Sequence, residues 1–77
     1  MEKVLYFLAP RFGRWKVEKK IINELNASCY RIGNKYQKQF ANDDIWVAIN
    51  KTVIMVRCKP ELVDKVTKIL GEKERVI

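Results

Sequence analysis

The sequence predicts an α/β domain: a small mixed four-stranded sheet with helices on both faces, in the order β-α-β-α-β-β-α. Three observations predict it. Val4–Leu8 (VLYFL) and Ile45–Ile49 (IWVAI) are apolar without a polar interruption, which is the pattern of strands covered on both faces. Residues 17–26 and 60–70 carry apolar side chains at helical spacing, as helices packed on a core do. Asn50-Lys51 separates the second apolar run from Thr52–Val56 (TVIMV), a separation suited to a tight hairpin. The two unbroken strands are placed side by side at the centre of the sheet.

The elements follow in order. Val4–Leu8 ends at Ala9-Pro10 and enters a loop of Arg11, Phe12, Gly13, Arg14, Trp15 and Lys16. Val17–Asn26 then forms a helix with Val17, Ile21, Ile22 and Leu25 on one face. Cys29–Ile32 reads as a short strand. Asn34–Asn42 (NKYQKQFAN) has two readings. As a helix it places Tyr36 and Phe40 on one face; as a strand it aligns Tyr36, Lys38 and Phe40. The helix is favoured because Lys, Gln and Ala form helices and no β-branched residue is present. A strand there changes the fold to an α+β sandwich, β-α-β-β-β-α, with one open sheet face. Pro60–Leu70 is the clearest helix, with Pro60 at its first position and Gly71 as its stop. Glu72–Ile77 is a charged tail with an apolar end.

Seventy-seven residues make a single domain, 1–77, near the low end of independent stability. A homodimer is one route to further burial. The composition is 48% hydrophobic, too high for a disordered chain. The longest apolar run, Val4–Ala9, is far short of a membrane span, and no membrane partner is expected. Glu2 and Lys3 lead into a strand without a small-residue cleavage site, so a signal peptide is not expected and a cytoplasmic location is the default. Cys29 and Cys58 form no C-x-x-C and read as small buried hydrophobes in a reducing compartment.

The net charge is +7 and is unevenly spread: residues 1–40 carry nine Lys/Arg against three Glu, so +6 lies in the first half. Charge concentrated in this way suits an anionic partner. Histidine is absent, which removes the commonest general base and transition-metal ligand. Asp43-Asp44 reads as a solvated turn. No phosphate-binding glycine motif occurs, since Gly13, Gly33 and Gly71 are isolated. No catalytic group, metal site or cofactor is expected.

Binding remains. Arg11, Phe12, Arg14, Trp15 and Lys16 interleave cations with aromatics, and Arg31, Lys35, Tyr36, Lys38 and Phe40 do so again. Cations neutralise phosphates, and exposed aromatic rings stack on unpaired bases. The competing reading makes the four aromatics core residues and the cations a solvated rim. Trp46, inside an apolar strand, is expected in the core.

Residues 4–25 also resemble the active-site segment of the thioredoxin family, in which Phe-x-Ala-Pro ends a strand and x-Cys-Gly-x-Cys-Lys opens a helix. Phe7, Ala9, Pro10, Gly13 and Lys16 match that pattern, while Phe12 and Trp15 stand at the two cysteine positions. The resemblance implies a thioredoxin- or glutaredoxin-like fold without redox activity. No proline precedes Ile45, where that family carries a cis-proline.

The expected function is a small basic non-catalytic binding protein, nucleic-acid-binding or regulatory, with Arg11, Phe12, Arg14, Trp15, Lys16, Arg31, Lys35 and Lys38 as contacts. The alternative is a redox-dead thioredoxin-like module that docks on an acidic protein surface.

Overall fold

In the computed structural model, which describes residues 2–34, 36–71 and, through their backbone, 73–76, strand alternation decides the architecture. Along β1 (Lys3–Leu8), Leu5 and Phe7 are buried while Val4 and Tyr6 are half-buried. Along β4 (Ile45–Ile49), Ile45, Val47 and Ile49 face the core cluster while Trp46 does not. β5 (Val53–Cys58) buries Ile54, Val56 and Cys58 and leaves Arg57 exposed. These residues meet Phe40 of β3 (Gln37–Ala41), Ile21 of α1 (Arg14–Glu24) and Val66 of α2 (Val63–Leu70) in one core. The two helices touch each other and cover that single face.

The sheet is antiparallel throughout, in the order β2-β3-β4-β5-β1-β6, with β2 at Ser28–Asn34 and β6 at Lys73–Val76. After β1, α1 carries the chain to the far edge. β2, β3, β4 and β5 then meander back until β5 pairs with β1. A 3₁₀ turn, Pro60–Leu62, leads into α2.

This corrects the expected fold. The protein is α+β with a one-faced antiparallel sheet, and the four-stranded thioredoxin-like α/β arrangement does not form. β5 lies between β1 and β4, so the two unbroken strands are not neighbours. The alternative order β-α-β-β-β-α also falls short, because four strands separate the helices and a further strand follows them. The apolar runs misled for a physical reason. Val4, Tyr6, Trp46, Val53 and Met55 are half-buried on the open face, where large side chains shield one another without a covering helix.

The favoured helix over Asn34–Asn42 is also replaced. The Tyr36 amide donates to Asn34 Oδ1 at 2.7 Å, a local turn that competes with helix initiation. Phe40 then alternates into the core with almost no exposure, and burial outweighs the weak helix propensity of Lys, Gln and Ala. The backbone of the expected charged tail pairs with β1 as β6. Of the two cysteines, Cys58 is buried as expected but Cys29 is exposed.

Candidate nucleic-acid interface

The chain leaves β1 at Leu8 and is tied to the β4–β5 turn by the Ala9 amide, which donates to the Thr52 carbonyl at 2.9 Å. Gly13 caps α1 with a φ of 76°, a left-handed conformation natural to glycine. Its carbonyl accepts from the Lys16 amide at 2.9 Å. The helix therefore begins at Arg14, earlier than expected, and Arg14, Trp15 and Lys16 form its first turn rather than a loop. No side chain caps this end and no acid lies in the first turn, so its amide dipoles favour an anion.

Phe12 is 89% exposed and Trp15 is 59% exposed, so neither is a core residue. Lys16 Nζ and Lys19 Nζ sit 5.6 and 5.7 Å from the Trp15 ring centre. Arg11 is exposed and forms no ion pair among the described residues. A shallow cleft of about 320 Å³ joins Arg11, Phe12, Arg14, Trp15, Tyr36 and Lys38.

Two expected contacts are already committed within the protein. Arg14 donates from Nη1 to the Asn50 carbonyl at 2.8 Å and from Nη2 to the Lys51 carbonyl. Its guanidinium lies 5.0 Å from the centre of the Tyr36 ring. Lys38 Nζ meets Glu18 Oε1 at 2.9 Å, with both side chains largely covered. Arg31 stands apart from the α1 patch, in a second cleft of about 310 Å³ with Gln39, Ala48 and Asn50. Lys35 lies outside the described residues.

Sequence reasoning raised an open sheet face only in the disfavoured alternative and placed no contact residue on it but Arg31. Trp46 is half-buried there rather than in the core. Its Nε1–H donates to the Tyr30 hydroxyl at 2.8 Å, and that hydroxyl donates to Gln39 Oε1. The β2–β3 register shifts between Cys29 and Arg31, and this bulge turns Tyr30 toward Gln39. The Arg57 guanidinium stands 5.1 Å from the Trp46 ring centre. The available signal was strand alternation across a hairpin register that only the fold supplies.

Acid chemistry is sparse. Asp44 pairs with Lys59 Nζ at 2.7 Å, and this contact raises the Lys59 pKa. Among the described residues no group of three or more His, Cys, Asp or Glu is placed to hold a metal, and no helix is long and apolar enough to cross a membrane. Searches for relatives return no matching family model, no matching curated protein and no matching solved structure.

Proposed function

We propose that this is a small basic non-catalytic protein that binds nucleic acid through the N-terminal end of α1. The observation that carries the reading is the exposure of Phe12 and Trp15 among Arg11, Lys16 and Lys19. Exposed large apolar rings are costly to leave in water and mark a contact surface. Interleaved with cations, they suit a phosphate backbone with accessible bases. Arg11 and Lys16 supply the charge; Arg14 holds the patch in place.

Fluorescence anisotropy with a labelled oligonucleotide tests this across a salt series. Binding weakens as salt rises, and Arg11→Glu with Lys16→Glu lowers the salt slope by about two. Trp15→Ala weakens binding while unfolding free energy changes by less than about 1 kcal/mol, as for a side chain outside the core. An oligonucleotide that does not bind at about 50 mM salt, where electrostatic binding is strong, overturns the reading.

A further inference from the structure

We propose that the open face of the sheet is a stacking platform that selects single-stranded nucleic acid, with Tyr30 and the Arg57–Trp46 pair as its plates. The proposal rests on the nucleic-acid reading above and deepens it by naming the form of the ligand.

The first argument is preorganisation. The Tyr30 ring is 57% exposed, yet its hydroxyl is held at both ends, accepting from Trp46 Nε1 and donating to Gln39. A ring fixed in this way loses little rotational freedom when a base stacks on it. Bases also stack on guanidinium planes, and Arg57 presents one over Trp46. The Glu2 carboxylate lies 3.7 Å from Arg57 Nε with both side chains more than half exposed, a weak restraint that phosphate can displace.

The second argument is charge. On the open face, strands β1 to β5 place Arg31 and Arg57 and no Asp or Glu, while Lys3 and Lys38 stand in register with the core residues Cys58 and Ile49 on the helix side. An apolar platform bordered by Arg31 and Arg57, with Glu2 only weakly paired to Arg57, complements bases on a phosphate backbone, whereas a second copy would set arginines against arginines. The third argument is size and continuity. Five strands at about 4.8 Å spacing make a surface about 19 Å wide, comparable with four-stranded sheets that stack two or three bases. Asn50 lines the open-face cleft, and its carbonyl takes the Arg14 hydrogen bond. That cleft therefore meets the α1 patch at the β4–β5 turn, and the Trp46–Arg57 pair lies further along the same two strands, beyond the Ala48–Met55 and Val47–Val56 pairs. Duplex bases are stacked on each other and offer no free face, so only the charged patch serves a duplex.

The test compares a labelled oligothymidine strand with a duplex of equal length, both by anisotropy. Tyr30→Ala weakens single-strand binding about tenfold, within the range for loss of one stacked base, and leaves duplex binding unchanged. Tyr30→Phe keeps the ring but releases it from Trp46 and Gln39, and recovers single-strand binding only in part. Arg57→Gln, at an exposed position, also reduces the preference for the single strand and serves if Tyr30→Ala unfolds on thermal melting. In a Trp15→Phe background, the single strand quenches the fluorescence of Trp46. If Tyr30→Ala and Arg57→Gln both bind the single strand like wild type, the platform is overturned and the α1 patch stands. Failure of wild type to bind either form overturns both readings. A dimer that Tyr30→Ala dissociates without changing oligonucleotide binding makes the face a self-association surface and overturns the proposal.

Discussion

The Arg14 guanidinium donates to the Asn50 carbonyl at 2.8 Å, joining the first turn of α1 to the turn between β4 and β5. The second nitrogen reaches the Lys51 carbonyl, and Tyr36 packs against the same cation. Arg14 thus works as a brace, while Arg11, three residues earlier, is exposed and outside every described ion pair.

The two arginines should separate cleanly in urea unfolding. Hydrogen bonds made by a charged group contribute about 1.5–3 kcal/mol when shielded, and partial exposure lowers that. Arg14→Ala should therefore cost about 1–2 kcal/mol. Arg11→Ala should stay within about 0.5 kcal/mol, as surface changes do. Equal midpoints for the two variants would show that the brace carries no stability.

Lys38 gives a second contrast. Its ammonium is paired with Glu18 and largely covered, so it has little charge left for a phosphate. Lys38→Met should cost about 1 kcal/mol, because a covered carboxylate loses its partner. The salt slope of oligonucleotide binding should not change. A slope lowered by about one would instead identify Lys38 as a phosphate contact.

These two residues show what was legible. Their type and their place in the basic half were readable, but Glu18 and Asn50 lie twenty and thirty-six positions away and only the fold supplies them. Helix α1 was visible in the spacing of Val17, Ile21 and Leu25. Its start was missed because Gly13 caps it through a positive φ, with no Ser or Asp to announce it. The strands β1 and β4 were visible, and so was the β4–β5 hairpin across Asn50-Lys51, but the insertion of β5 between β4 and β1 was not. An apolar run does not distinguish a covering helix from rings lying on an open face, and Trp46 was assigned to the core for that reason.

Cys58 makes stability fall in alkali. Burial first, then the charges of Glu2 and Glu61, push its thiol above the ordinary value of 9.0. The folded state therefore holds its proton where the unfolded state releases it. The stabilisation is complete below pH 9.0 and is lost as pH rises from there through the raised value. Cys58→Ala should be less stable at neutral pH because of the cavity, by about 1 kcal/mol. Its urea midpoint should decline less steeply than wild type above pH 9.0. Parallel declines would show that the thiol does not contribute to the alkaline loss.

Asn42 fastens the end of α1 to the start of β4. Its Nδ2 donates to the Leu25 carbonyl at 2.8 Å. Its Oδ1 accepts from the amides of Asp44 at 2.7 Å and Ile45 at 3.0 Å. One side chain thus satisfies a carbonyl at the helix C-terminus and two amides of the β3–β4 turn. Asn42→Ala removes all three bonds, at a net cost of about 1 kcal/mol each in shielded sites and less here, for a total of about 2 kcal/mol. Asn42→Asp keeps the two acceptor bonds and loses only the donor to Leu25, so it should recover about half of that loss. Hydrogen exchange locates the effect: the Asp44 and Ile45 amides should exchange faster in Asn42→Ala and keep their protection in Asn42→Asp. If both variants expose those amides equally, the turn depends on the Leu25 tether rather than on the side-chain acceptor.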